Sequence, residues 1–124
     1  MSESRREFAI VIEPKPMLAD MIGDYLRRAG YEVGIAATHV GGAGMAKAHG
    51  KVDLAVAAVP APGEDRSGAY LEEARAANPA MRMVVMLSDP LASIAGAPVD
   101  AVQLVKPFSV EELDRAVALA SLPA

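Results

Sequence analysis

The sequence of 124 residues contains no cysteine, no tryptophan and only two histidines. Without cysteine it has no disulfide framework and no thiolate metal or redox site. The net charge of −4 provides no basic footprint, so we expect no direct nucleic-acid binding. No apolar run approaches the roughly 18 residues of a membrane span, and residues 1–8 lack the apolar stretch of a secretion signal. We therefore expect a cytoplasmic protein that is not embedded in a membrane.

The histidines do not suggest a metal site. Neither His39 nor His49 has a nearby His, Asp or Glu at ligand spacing, so both are predicted to be solvated helix residues. Apolar residues, in contrast, make up 52% of the chain, which is enough for one core. We predict a single domain over residues 1–124, with its core between about 7 and 121.

Five apolar segments of strand length alternate with segments of helical periodicity. The predicted strands are 7–12, 31–36, 52–58, 82–87 and 101–105. Helices are predicted at about 16–30, 38–50 and 67–77, with a short helix at most in 89–100 and a last helix opened by a Ser109–Glu112 capping box. Apolar strands joined by crossover helices predict a parallel sheet covered on both faces, hence an α/β fold.

The second helix contains a glycine-rich segment, residues 41–44. It has neither the spacing of a dinucleotide-binding loop nor the GK[ST] of a P-loop, and it follows the second strand rather than the first. Since each glycine costs about 1 kcal/mol of helix stability relative to alanine, we interpret this segment as a flexible helix start.

Ligands of open parallel sheets bind beyond the carboxyl ends of the strands. Glu13 and Pro14 follow the first predicted strand, and Ala58 ends the third. Ser88 follows the fourth strand and Lys106 follows the fifth. A Ser88–Lys106 pair has no recognisable oxyanion arrangement or third orienting group beside it, so hydrolase chemistry is not expected and the chain is predicted not to be an enzyme.

The segment LVKPFSVEEL (104–113) resembles the fifth strand, lysine–proline step and last helix of the receiver domain of bacterial two-component response regulators. The segment VIEPKPMLADMIGDYLRRAGYEV (11–33) is similar to the family's first strand and helix. The resemblance extends from about Phe8 to Ala120. It implies a flavodoxin-like (CheY-like), doubly wound five-stranded parallel sheet in the order 2-1-3-4-5. A short interval from Ser88 to Lys106 implies a shortened fourth helix.

In working receivers, two acids after the first strand and an aspartate ending the third hold Mg²⁺, and that aspartate accepts a phosphoryl group. Glu13 matches the first acid, while Ser88 and Lys106 match a hydroxyl and a lysine that contact the phosphoryl group. Pro14 replaces the second acid, and Ala58 replaces the phosphoacceptor. Gln103 stands where an aromatic switch residue reports phosphorylation.

These replacements predict a degenerate receiver, or pseudo-receiver, because a methyl group has no lone pair for phosphoryl transfer. Mg²⁺ requires near-octahedral oxygen ligation, so we expect the metal site to be lost and no cofactor to be bound. Asp53 lies about 16 Å along the strand from Ala58, at the wrong end of the sheet. The loop residues Glu64 and Asp65 remain open as surrogate acceptors.

Lys106 needs a partner, since a buried unpaired ammonium is costly. We expect it to contact Glu13 across the former metal site, in place of metal and phosphate. Alternatively, Lys106 contacts a small anionic ligand, which would make the chain a ligand sensor.

The favoured function is phosphorylation-independent protein–protein interaction in phosphorelay signalling, with a signalling protein or a second copy as partner. In the family, the fourth helix, fifth strand and fifth helix dock partners. The corresponding residues here are Leu91, Val102, Gln103, Val110 and Asp114.

Overall fold

The computed structural model describes residues 7–58, 75–87 and 101–121. In chain order the elements are β1 (Phe8–Ile12), α1 (Pro16–Arg28), β2 (Glu32–Ala36), α2 (His39–His49), β3 (Leu54–Ala58), β4 (Arg82–Leu87), β5 (Val102–Val105) and α3 (Val110–Ala120). The five strands form one sheet in the order β2-β1-β3-β4-β5, and every pairing is parallel. The predicted fold class and strand order are therefore confirmed. Residues 75–77 are helical as predicted, whereas the rest of the helix predicted at 67–77 and the predicted short helix in 89–100 lie outside the described residues.

The central strands β1, β3 and β4 are buried on both faces, because helices cover the sheet on both sides and successive strand residues point to opposite faces. The first core cluster packs beneath α2 and contains Phe8, Ile10, Ile12, Ala36, Ala46, Val52, Ala55, Ala57, Met81, Met83, Val85 and Leu87. The second packs beneath α1 and α3 and includes Ala9, Val11, Ala19, Ile22, Leu26, Leu54, Val56, Ala58, Val84, Met86, Leu104, Leu113, Ala116 and Val117. Helices on both faces explain why the central strands are apolar throughout rather than alternating.

The helix ends follow their sequence signals. Pro16 occupies the first turn of α1, and Gly30 follows its C-terminus with a φ of 105°, a conformation that costs glycine no strain. The Ser109–Glu112 capping box at the start of α3 is present, with both reciprocal hydrogen bonds formed at 2.8 and 3.1 Å.

One glycine of α2 has a packing role that the sequence did not reveal. Gly42 is buried against β1, and a Cβ atom there would lie 2.4 Å from Cδ1 and 2.7 Å from Cγ1 of Ile12. At Gly44 a Cβ atom would meet nothing within 4 Å. Thr38 caps the helix by accepting the Gly41 N–H at 3.0 Å. Gly42 thus permits the close approach of α2 to the sheet.

Arg82 joins several elements at the amino edge of the sheet, where the strands begin. Its guanidinium donates to Glu7 Oε1 at 2.6 Å and to Ser121 Oγ at 2.9 Å. It also donates to the Asp53 carbonyl at 3.1 Å and to the Tyr31 hydroxyl at 3.4 Å. Burial opposes the charge, but the hydrogen bond to Glu7 and the nearby Tyr31 and Glu7 outweigh it, so the pKa of Arg82 is raised.

In the described ranges, no helix combines the length and apolarity needed to cross a membrane.

Candidate functional site

The candidate site lies at the carboxyl edge of the sheet, where the strands end. The N–H of Glu13, directly after β1, donates to the Ala36 carbonyl at the end of β2, at 3.0 Å. On the other side, the N–H of Lys106, directly after β5, donates to the Leu87 carbonyl at the end of β4, at 2.7 Å. These backbone bonds hold both residues in place where their strands end. The Lys106–Pro107 peptide bond is cis.

An ion pair joins these two strand ends. The ammonium of Lys106 donates to Glu13 Oε1 at 2.7 Å. The Glu13 side chain is 0% exposed and that of Lys106 is 20% exposed, so the pair is largely removed from water. The predicted Glu13–Lys106 contact is confirmed.

Sequence reasoning missed the group that binds the second oxygen of Glu13. The N–H of Lys15 donates to Glu13 Oε2 at 3.0 Å. The sequence around Lys15 contains a signal for this contact, because Pro14 and Pro16 have no N–H to donate. Lys15 therefore supplies the one backbone donor among residues 14–16, and both oxygens of the buried carboxylate are hydrogen-bonded.

Ala58 lies on the strand next to Glu13. Ile12, the last residue of β1, is paired with Ala57 of β3, so Glu13 and Ala58 are the residues that follow in the same register. Ala58 is 7% exposed, and its side chain belongs to the core beneath α1 and α3. Asp53 lies at the amino edge instead, where its Oδ2 accepts the Phe8 N–H at 2.8 Å, in agreement with its predicted placement.

The described side chains at this edge do not form a donor set that fits Mg²⁺. Mg²⁺ takes oxygen ligands in near-octahedral geometry, usually with one or more carboxylates free to coordinate. Here the Glu13 carboxylate is bound by Lys106 and Lys15, and Pro14 and Ala58 supply no side-chain oxygen. Within residues 7–58, 75–87 and 101–121, no group of three or more His, Cys, Asp or Glu side chains is arranged to hold a metal ion.

The predicted docking residues differ in their surroundings. Gln103 is exposed on β5, and Val110 is 47% exposed at the start of α3. Val102 is half-buried and packs against the core beneath α1 and α3. Asp114 accepts a hydrogen bond from the Tyr25 hydroxyl of α1. The pKa of Tyr25 is raised, mainly by burial and to a smaller extent by this hydrogen bond. The docking role of these residues stays a prediction.

Four further predicted residues lie outside the described part of the chain. They are Ser88, Leu91, Glu64 and Asp65. The hydroxyl, one docking residue and both candidate surrogate acceptors therefore remain sequence-based predictions.

No family model and no curated protein matches the sequence. Solved structures do resemble it in fold. A response regulator receiver protein from Sinorhizobium medicae is 20% identical, with 94% of each chain covered and a TM-score of 0.81. Chemotaxis protein CheY4 of Vibrio cholerae is 19% identical, with 92% of this chain and 98% of that chain covered and a TM-score of 0.76. A Burkholderia pseudomallei response regulator with a phosphorylated aspartic acid and a calcium ion is 23% identical, with 89% of this chain and 65% of that chain covered and a TM-score of 0.73. At these identities the similarity establishes a CheY-like receiver fold.

Proposed function

We propose that this chain is a pseudo-receiver that acts in signal transduction by phosphorylation-independent protein–protein interaction. Its receiver fold supports a signalling role. The observation that carries the proposal is the buried Glu13–Lys106 ion pair, in which the acid and the lysine at the carboxyl edge already neutralise each other. A charge that is satisfied within the chain does not require a metal ion or a phosphoryl group.

The chemistry at residue 58 supports the loss of phosphorylation. The Burkholderia pseudomallei structure contains a phosphorylated aspartic acid, whereas an alanine methyl provides no nucleophilic oxygen. Glu13 is the carboxylate next in register to Ala58, and its two oxygens are occupied by Lys106 and Lys15. Among the residues that the structure describes, there is therefore neither an acceptor oxygen at residue 58 nor a free carboxylate beside it with which to bind Mg²⁺.

The anion-sensor alternative is less well supported. An anionic ligand at Lys106 must compete with a carboxylate 2.7 Å away, whose side chain is 0% exposed. Displacing Lys106 would leave Glu13 buried without its charge partner, which is strongly unfavourable. We therefore place the activity on the protein surface, with a signalling protein or a second copy as partner.

Phosphorylation is tested by incubating the protein with acetyl phosphate and Mg²⁺ and measuring its intact mass. We expect no gain of about 80 Da, the mass of one phosphoryl group. A receiver domain that retains its phosphoacceptor serves as the positive control under the same conditions. An adduct on this chain would contradict the proposal, and peptide mapping would then show whether Glu64 or Asp65 is the surrogate acceptor.

Partner binding is tested by affinity capture with the wild-type protein and with Val110→Asp, which places a charge on an exposed apolar position of α3. We expect a partner that is retained equally with and without acetyl phosphate and is lost from the variant. Ala48→Asp, at an exposed position of α2, is the control and should retain it. Binding that depends on acetyl phosphate would overturn the proposal.

A further inference from the structure

The Glu13–Lys106 pair spans the carboxyl edge of the sheet, from the end of β1 to the end of β5. The order β1-β3-β4-β5 separates the two residues by three strand spacings, or about 14 Å at about 4.8 Å each. Two long side chains nevertheless meet at 2.7 Å. The pair must therefore extend over the ends of the intervening strands, of which β3 ends in Ala58.

We propose that this pair is a strap across the carboxyl edge, and that the side chain at residue 58 determines whether the strap is closed. The inference rests on the proposed function, since it assumes that residue 58, as an alanine, is never phosphorylated and keeps the site in one state. Ala58 is next in register to Glu13, so its side chain occupies the edge that the strap crosses. A methyl group leaves Lys106 with Glu13 as its partner, whereas a carboxylate would compete for the same ammonium.

The strap also controls how the last helix is attached. The Lys106 N–H is bound to the Leu87 carbonyl, and its side chain is fixed by Glu13. Three residues later, Ser109 caps α3. Phe108, between them, packs against the core beneath α1 and α3. Opening the strap releases one of the two anchors of Lys106, so the change should reach the start of α3.

The experiment is NMR spectroscopy of the ¹⁵N-labelled protein, which observes the Lys106 ammonium and the Ser109 and Glu112 amides. In Glu13→Gln we expect the ammonium signal to move or disappear through loss of its charged partner, with shifts of both amides. In Ala58→Asp we expect the ammonium signal to move to a new position as Lys106 changes partner, with shifts of the same two amides. Ala48→Asp, the same substitution at an exposed site, should leave all three signals unchanged.

A comparison of single and double variants provides the test if Ala58→Asp does not fold. Glu13→Gln and Lys106→Met open the same contact, so each should shift the Ser109 amide about as much as the double variant does. Additive shifts, or no shift of Ser109 and Glu112 in Glu13→Gln, would overturn the strap. An unchanged ammonium signal in folded Ala58→Asp would also overturn it.

The two proposals fail separately. A phosphoryl adduct on the wild-type protein contradicts the loss of phosphorylation, whatever the NMR variants show. Uncoupled NMR responses contradict the strap, even if the wild-type protein never gains mass.

Discussion

The two edges of the sheet are held together by charge in different ways. At the carboxyl edge one lysine meets one carboxylate, and the carboxylate side chain is 0% exposed. At the amino edge Arg82 bonds to groups from several elements, and its charged partner Glu7 is 54% exposed. In the described part of the carboxyl edge the charges thus depend on one buried pair, whereas Arg82 at the amino edge shares its contacts among several groups, of which Glu7 and Ser121 are exposed to water.

This difference indicates that the amino edge stabilises the fold, whereas the carboxyl edge is the candidate site. A guanidinium with several partners can lose one of them and remain hydrogen-bonded, which suits an edge that only holds strands together. A buried carboxylate has no such reserve, because an uncompensated charge in the interior is costly. Among the described residues, the carboxyl edge therefore retains one acid and one lysine that pair with each other, and the carboxylate also accepts the Lys15 N–H.

The largest expected effect comes from Lys106→Met, which retains much of the side-chain length and removes the charge. Glu13 would be left buried without its charge partner, so we expect the free energy of unfolding to fall by about 3 to 5 kcal/mol. Urea denaturation measures the change. Lys15→Met is the matched control, because its exposed side chain is removed while the backbone N–H that binds Glu13 is kept. A loss no greater than that of the control would show that the pair contributes little.

Arg82→Met should be less costly, although it removes more hydrogen bonds. Glu7 is half-exposed and can turn to water, as can the exposed hydroxyl of Ser121. We expect a loss of about 1.5 to 3 kcal/mol in the same urea measurement, the size of a hydrogen bond to a charged group. A loss equal to that of Lys106→Met would remove the distinction between the two edges.

The sequence was sufficient to predict the parallel sheet, the Ser109–Glu112 capping box and the Glu13–Lys106 contact, whereas the strand order was implied by the resemblance to receiver domains. The first three features depend on local patterns: apolar strands, a serine and a glutamate at a helix start, and residues placed directly after strands. Parallel strands bring their carboxyl ends to one edge, so residues distant in sequence were correctly placed together there.

Other contacts were beyond sequence reasoning because they depend on how elements pack. Arg82 and Ser121 meet at the amino edge although they are 39 residues apart, and no local pattern marks them as partners. Likewise, the glycines of α2 were interpreted as a flexible helix start. The distance from Gly42 to Ile12 is set by tertiary packing, which overrides helix propensity.

Two glycine variants of α2 test its packing against the end of β1 without altering the charges of the carboxyl edge. Gly42→Ala gains helix propensity of about 1 kcal/mol, but its Cβ would clash with Ile12, the residue before Glu13. Since overpacking costs about 1 to 3 kcal/mol, we expect a net loss of about 1 kcal/mol. Gly44→Ala, with open space around its Cβ, should instead gain up to about 1 kcal/mol. Thermal and urea unfolding of both variants measure the difference, and stabilisation by Gly42→Ala would contradict the close packing.

The smallest expected effect concerns Tyr25, which joins α1 to α3 through Asp114 away from both edges. At neutral pH, Tyr25→Phe should cost about 0.5 to 1 kcal/mol, as for one partly exposed hydrogen bond. Burial and Asp114 raise the pKa of Tyr25 in the folded protein, so its contribution is fully present below the unfolded value of about 10 and is lost as pH rises further. Urea unfolding across this alkaline range should therefore show a steeper loss for the wild-type protein than for Tyr25→Phe. Tyr31→Phe is the control, because it leaves the Tyr25–Asp114 bond in place and should retain the alkaline loss of stability that comes from Tyr25. Identical slopes for the wild-type protein and Tyr25→Phe would contradict the assignment of this loss to Tyr25.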